Sequence, residues 1–337
     1  MGMNSFLHKL PDAWYGTSAA PLWARLLEPV YRGTTALRRG AYRRGLRRSG
    51  HPGRPVIVVG NLTAGGAGKT PLVAWLVGRL EDRGHKTAIV SRGYGGAEPA
   101  HPHRVGGDDD PAFCGDEPLL LARDTGAPVW IGRDRLAAAR AAVDDGAELV
   151  VSDDGLQHYR LARDFEIVVI DAERGFGNGR CLPAGPLREP VSRLSEADFV
   201  VCNGKGPHCP GGGLLMELDG DEAVRQDGSE RRPLAGFRGA PVHAVAGIGH
   251  PERFFRLLER KGLEVIRHPL PDHGAVPDEL LAPRDGLEVL LTAKDGMRCR
   301  GRPEAAGAWQ VPVLARLEAD GAALLERLAR RLGLREA

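Results

Sequence analysis

The segment Thr63-Ala64-Gly65-Gly66-Ala67-Gly68-Lys69-Thr70 holds the residues of this chain best spaced to do chemistry. Glycines so placed let backbone N–H groups curl around an anion, and a helix starting just after them adds the positive end of its dipole. Lys69 then reaches the β and γ phosphates of a nucleotide, and Thr70 holds Mg2+. Thr63 stands where the strict phosphate-loop pattern has glycine, but Gly65, Gly66 and Gly68 keep three positions unhindered. The Gly-x-Gly-x-x-Gly spacing of a dinucleotide fingerprint is absent.

Further along, Leu149-Val150-Val151-Ser152-Asp153-Asp154 ends an apolar run in two carboxylates, the arrangement that sets an acid beside a nucleotide's metal. Either Asp153 or Asp154 suits that role. The glycine-rich segments 155–160, 175–180 and 185–190 carry arginines at intervals and suit close approach to a second anionic ligand, such as an acceptor that already bears a phosphate. Transfer to a hydroxyl needs a carboxylate or histidine to orient it. Candidates are Asp116 in Gly115-Asp116-Glu117-Pro118, His158, and the pair Asp272-His273.

These residues need a scaffold that brings strand ends together. From Arg54 onward, short Val/Ile runs alternate with helical stretches: strands are expected at 55–60, 87–90, 129–131, 149–151, 165–170 and 199–202, with helices from Lys69 to Arg83 and from Arg133 to Val143. Continuous apolar runs separated by helices predict an α/β fold, a doubly wound, mostly parallel sheet of the P-loop NTPase kind covered on both faces. Residues 54–204 form that core, 205–239 read as a Pro/Gly-rich connection, and 240–337 as a smaller C-terminal α/β unit. In the latter, strands are expected at 242–246, 264–266 and 289–292 and helices near 251–261 and 321–332. Residues 1–53 form an arm in which Leu22, Trp23, Leu26, Leu27 and Val30 share one helical face between Ser5 and Tyr31. Ten basic side chains against Asp12 and Glu28 give residues 1–54 an excess of eight positive charges, so with +2 overall the rest sums to −6. An apolar face beside a basic run suits an anionic bilayer surface, and equally a helix packed on the core.

Composition narrows the class. The balance of 46 Lys and Arg against 44 Asp and Glu speaks against a protein built to grip nucleic acid, and nothing points to an obligate protein partner. Five cysteines without a CxxC pair fit a reducing compartment rather than a disulfide framework, and Cys202, His208 and Cys209 match no common zinc spacing. No run of about 18 apolar residues is present, and Met1-Gly2-Met3-Asn4 lacks the order of a secretory signal, so neither a membrane span nor export is expected.

Taken together, Gly60 through Pro71, Ser91-Arg92-Gly93-Tyr94-Gly95, Gly115-Asp116-Glu117-Pro118 and Asp153-Asp154-Gly155-Leu156-Gln157-His158 resemble the tetraacyldisaccharide 4'-kinase family. Gly177-Asn178-Gly179-Arg180, the stretch Pro183 to Pro190 with its Pro-Leu-Arg-Glu-Pro string, and Thr292-Ala293-Lys294-Asp295 follow in the same order, so the resemblance spans roughly residues 10 to 300. It implies ATP-dependent phosphorylation of the 4'-hydroxyl of a lipid-linked disaccharide 1-phosphate in lipid A synthesis. It also implies peripheral attachment at the cytoplasmic face of the inner membrane, with the arm touching lipid. By the same resemblance Asp116 is the catalytic base, His273 its partner, and Thr70, Asp153, Asp154 and Glu189 surround Mg2+. The rival reading is a membrane-cycling P-loop ATPase switch, although such proteins carry a lysine where this chain has Ala64. A GTPase lacks support, since no Asn-Lys-x-Asp guanine reader occurs.

Overall fold

The computed structural model describes residues 10–97 and 99–335. The first nine residues of the expected arm, Ser5 and Lys9 among them, lie outside the described residues.

Strands β1 (Val56–Gly60), β2 (Thr87–Ser91), β3 (His103–Arg104), β4 (Val129–Ile131), β5 (Leu149–Asp153), β6 (Phe165–Asp171), β7 (Phe199–Asn203) and β8 (Leu214–Asp219) belong to a first sheet. A second sheet contains β9 (Glu222–Arg225), β10 (Arg231–Pro233), β11 (Val242–Ala246), β12 (Val265–Pro269), β13 (Val289–Thr292) and β14 (Trp309–Val311), after which β15 (Leu314–Leu317) returns to the first. The first sheet runs β15-β8-β7-β6-β1-β5-β2-β4-β3 and is parallel except at its two edge pairs. The second runs β10-β9-β14-β13-β11-β12, with a parallel half from β14 to β12.

Alternation along the central strand shows how the first sheet is covered. Ile57 and Val59 face a core shared with Leu72, Leu76 and Leu80 of the helix Lys69–Glu81 and with Leu324 and Leu328 of the helix Ala322–Leu332. Val56 and Val58 face the opposite core, closed by Leu136, Ala139 and Ala142 of the helix Arg135–Asp144. Successive side chains of a strand point to opposite faces, so a strand apolar at every position is buried on both sides. The second sheet is likewise double-faced, with Phe254, Phe255 and Leu258 of the helix Pro251–Arg260 on one side and Leu281 and Ala305 on the other. The expected doubly wound α/β fold is therefore present.

Three features depart from the sequence reading. Residues 205–239 are not a bare connection: β8 extends the first sheet, and β9 and β10 belong to the second. The chain after Val313 rejoins the first sheet through β15 and packs its last helix on the first core, so residues 240–337 are divided between the two sheets. Cys202 and Cys209 are joined in a disulfide, because the loop after β7 folds back at Pro210–Gly213 and brings their Cα atoms to 5.7 Å; Cys114, Cys181 and Cys299 are free and buried.

The arm is a helix, Leu22–Arg43, preceded by a short one, Leu10–Tyr15. Its inner face is polar. Glu28 accepts from the Cys181 backbone N–H (3.0 Å) and from Arg180 Nη1 (2.8 Å), Tyr31 Oη donates to the Arg188 carbonyl (3.1 Å), and Arg39 pairs with Glu196. Leu22, Leu26 and Leu37 are 69%, 68% and 75% exposed, and Trp23, Leu27 and Val30 are also outward. No helix among the described residues is long and apolar enough to cross a membrane.

Candidate active site

The phosphate loop leaves β1 at the point where the sheet's winding reverses, between β5 and β6, the position where ligands of open α/β sheets bind. Both flanks of the loop are pinned. The Ala64 N–H donates to the Pro186 carbonyl (2.7 Å), and Asn203 Nδ2 donates to the Ala67 carbonyl (3.0 Å). Gly68 has φ of 92°, which lets the chain swing from the loop into the helix Lys69–Glu81, and a Cβ there would lie 2.3 Å from Asn203 Nδ2. Leu72, Val73, Leu76 and Leu80 anchor that helix, so its N-terminal dipole end is fixed under the loop. Lys69 Nζ donates to Asn61 Oδ1 (3.1 Å) and stands 3.4 Å from Asp154 Oδ1, while Thr70 is buried at the helix start.

The paired acids at the end of β5 live in opposite environments. Asp153 is fully buried and neither of its carboxylate oxygens has a hydrogen-bond partner. Burial, reinforced by Glu117, pushes it up to about 7 despite Lys69. Asp154, with φ of 49°, turns the other way and takes Arg188 Nη1 on both oxygens, at 2.9 and 3.1 Å. Burial alone would raise its pKa, but Lys69, Arg188 and Arg135 overcome that and hold it far below the carboxylate range. Glu189 is also buried, where it accepts from Tyr159 Oη and from Gln157 Nε2 (3.3 Å).

Opposite the loop, the second sheet supplies a set of cations. Asp116 begins the helix Asp116–Thr125, and its Oδ2 takes Arg298 Nη1 at 2.6 Å and lies 3.4 Å from His273 Nδ1. Among the described residues its Oδ1 accepts only the N–H of Glu117 (2.9 Å). Burial would raise Asp116, yet the His273 hydrogen bond and the charges of Lys294, His273 and Arg298 bring it down to about 2. The same contact raises His273, whose ring also meets Tyr94 edge-on at 5.3 Å. Lys294 pairs with Glu117; burial opposes its charge, but Glu117 and Asp116 prevail and raise it. Arg298 additionally donates to the Gly247 carbonyl (2.9 Å) and pairs with Asp295, tying β11's exit loop to the first unit. That loop rests on the phosphate loop so closely that a Cβ on Gly249 would lie 2.4 Å from the Gly66 nitrogen.

Between these walls lies a cleft of about 1600 Å3, lined by the phosphate loop, Arg92, Tyr94, Arg133, His158, Arg188, Glu189, His273 and Lys294, with Tyr31 and Arg38 of the arm along one side. Asp116 and Asp153 sit just behind this lining. Of the site residues expected from the sequence, Ala64 to Thr70, Asp154, Glu189 and His273 line this cleft, and Thr63 does not. Asp272 reaches His273 (3.9 Å) but not Asp116. Of the glycine-rich segments, 155–160 and 185–190 reach the cleft through Gln157, His158, Tyr159, Arg188 and Glu189, whereas in 175–180 Asn178 donates to the Ala13 and Ala184 carbonyls and its N–H to the Trp14 carbonyl, fastening the arm. Arg298, Glu117 and Asn61 were missed; the only hint of Arg298 was its position four residues after Lys294, on the same helix face.

An ion held by Asp153 and Thr70 fits this geometry, because a buried carboxylate without partners is stabilised by a cation. Among the described residues no three His, Cys, Asp or Glu side chains form a ready cage, so Asp153, Asp154 and Glu189 are not gathered into the three-acid shell that the resemblance implies: Asp154 is engaged by Arg188, and Glu189 by Tyr159 and Gln157.

A family model described as tetraacyldisaccharide-1-P 4'-kinase (LpxK) matches residues 21–333. The chain belongs to this family. A tetraacyldisaccharide 4'-kinase of Stenotrophomonas maltophilia is 51% identical over 297 residues, covering 86% of this chain and 88% of that one. One from Xanthomonas campestris pv. campestris is 47% identical, covering 95% of each. The "apo" form of LpxK from Aquifex aeolicus, solved in complex with ATP, superposes with a TM-score of 0.74 at 27% identity and covers 91% of this chain and 97% of that one. Membership in the kinase family agrees with the cleft geometry, a phosphate loop facing a buried acid and histidine.

Proposed function

We propose that this chain transfers the γ phosphate of ATP to the 4'-hydroxyl of a tetraacyldisaccharide 1-phosphate, giving the bisphosphorylated lipid A precursor. The observation that carries the reading is one cleft holding both Lys69, at the start of the phosphate-loop helix, and the Asp116–His273 pair opposite it, in a chain of this family. A switch that merely hydrolyses ATP has no use for that second set of groups.

In this reading the loop N–H groups and Lys69 hold the phosphates, and the helix dipole favours their charge. Asp153 and Thr70 hold Mg2+, with Asp154 and Glu189 nearby. Bound there, Mg2+ would offset negative charge on the phosphoryl oxygens. Asp116 presents Oδ1 to the sugar hydroxyl, since Oδ2 is taken by Arg298 and His273. An acid near 2 is a weak base at neutral pH, so its first task is to aim the hydroxyl. The proton passes to Asp116 once bonding to phosphorus has acidified that oxygen, as a loose phosphoryl-transfer transition state allows, while ADP departs as the leaving group.

The arm supports attachment at the cytoplasmic face of the inner membrane. Its polar face is spent on Glu28, Tyr31 and Arg39 contacts, and its leucines are left outward. Each such side chain gains about 1.5–3 kcal/mol if fully removed from water. The acyl chains of the substrate then stay in the bilayer while its sugar enters the cleft beside Tyr31 and Arg38.

The test is mass spectrometry of protein incubated with MgATP and a tetraacyldisaccharide 1-phosphate. A gain of one phosphate, absent with Lys69→Ala, is expected; ATP hydrolysis on vesicles without acceptor phosphorylation would favour the switch instead. For the arm, Leu26→Asp with Val30→Asp should abolish co-sedimentation with vesicles, and unchanged sedimentation would remove the arm from the membrane.

A further inference from the structure

We propose that a basic hollow at the foot of the arm binds the phosphate of an anionic phospholipid headgroup, as a site separate from the catalytic cleft. This rests on the membrane reading above.

The hollow, about 530 Å3, is formed where three separate stretches meet: Tyr42 near the end of the arm helix, Arg47 and Arg48 just after it, Leu136 and Arg140 of the helix Arg135–Asp144, and Arg160. None of these residues lines the catalytic cleft. Its frame is set by backbone contacts. The Gly50 N–H donates to the Arg160 carbonyl (2.8 Å), the Ala162 N–H to the Gly50 carbonyl (2.8 Å), and Ser49 Oγ to the Tyr159 carbonyl (2.7 Å), while Tyr42 packs against Tyr159 at 5.9 Å. The turn carrying Arg47 and Arg48 is thus stitched to the segment carrying Arg160.

Charge within the hollow is unbalanced. Arg160 meets Asp134 at 3.1 Å, but Arg47, Arg48 and Arg140 have no acidic partner among the described residues. Elsewhere on the arm the pattern differs, since Arg39 and Arg43 both reach Glu196. Guanidinium groups held around one concavity repel each other until an anion enters, and their planar donor sets match phosphate oxygens. Free phosphate and a lipid phosphate offer the same oxygens. The lipid is favoured because Leu46, beside Arg47, is 77% exposed and Leu37 is outward on the same helix as Tyr42, so acyl-facing side chains flank the basic groups.

The experiment compares full-length wild-type protein with two triple variants in co-sedimentation on phosphatidylcholine vesicles with and without phosphatidylglycerol. Arg47→Gln/Arg48→Gln/Arg140→Gln strips the hollow, and Arg25→Gln/Arg32→Gln/Arg44→Gln removes the same charge from the rest of the arm. Generic surface attraction weakens both alike; a built site makes the hollow variant bind phosphatidylglycerol vesicles at least about tenfold more weakly than the control variant. Both should phosphorylate detergent-dispersed acceptor at the wild-type rate, which verifies the fold. Equal losses in the two variants would overturn the site while leaving the membrane arm standing. Wild-type protein that ignores all vesicles would overturn both. Inorganic phosphate that binds the wild-type protein but not the hollow variant by isothermal titration, while the two variants lose vesicle binding equally, would assign the site to free phosphate and overturn the lipid.

Discussion

The two walls of the catalytic cleft treat buried acid in opposite ways. On the phosphate-loop wall Asp153 is enclosed with no partner, and burial pushes it up to about 7. On the wall shared with the second sheet Asp116 is equally enclosed but surrounded by Arg298, His273 and Lys294, and it falls to about 2. The same residue type therefore has two jobs set by surroundings. One acid is enclosed without a hydrogen-bond partner, the surroundings that the proposed metal role calls for; the other is held by cations of the chain and fixed in position.

Breaking the saturated wall should have the largest effect. Asp116→Ala is expected to lower kcat by about 10^2 to 10^4-fold with ATP binding nearly unchanged, and near-normal turnover would remove Asp116 from the reaction. On the opposite wall, Lys69→Ala should cost on the order of 10^2 to 10^3-fold and should weaken nucleotide binding as well, which isothermal titration with ATP would reveal. Arg298→Met separates charge supply from packing. It leaves Asp116 and Asp295 buried with fewer partners, so thermal unfolding should report a loss of about 3–5 kcal/mol. Because Asp116 loses a cation its pKa rises, and the acidic limb of kcat/KM should move to higher pH; an unmoved limb would make Arg298 purely structural.

The smallest effect concerns His158 on the phosphate-loop side. Burial, aided by Arg135, lowers it from 6.5 to about 4. The unfolded chain binds a proton near pH 6.5 that the folded one refuses, so the stability it contributes is full above pH 6.5 and is lost as pH falls toward 4. His158→Gln should flatten that part of the denaturation profile, and an unchanged slope would show that His158 does not set it.

The phosphate-loop wall was the more legible in the sequence. Lys69 and Thr70, and likewise Asp153 and Asp154, are contiguous with the strands that position them, so local pattern and function coincide. Asp116 and His273 stood among several candidates by residue type, and only the resemblance to a family singled them out. Arg298 and the Gly247–Gly249 loop gain their meaning when segments far apart in the chain pack together, and periodicity carries no record of that. Strands β8, β9 and β10 were hidden because they are short and lie among prolines and glycines in the stretch 205–239. The return of β15 to the first sheet was hidden because its partner β8 is nearly a hundred residues earlier. The arm was read correctly as amphipathic, but only the structure shows that its polar face is the one turned inward.

Metal binding to the two walls tests the contrast most directly, using Mn2+ as a paramagnetic substitute for Mg2+ with ATP present. Asp153→Asn is expected to lose the tightly bound Mn2+ signal while Asp116→Asn retains it, although both fail to phosphorylate the disaccharide. Wild-type Mn2+ affinity in Asp153→Asn, or its loss in Asp116→Asn, would contradict the division of labour between the walls.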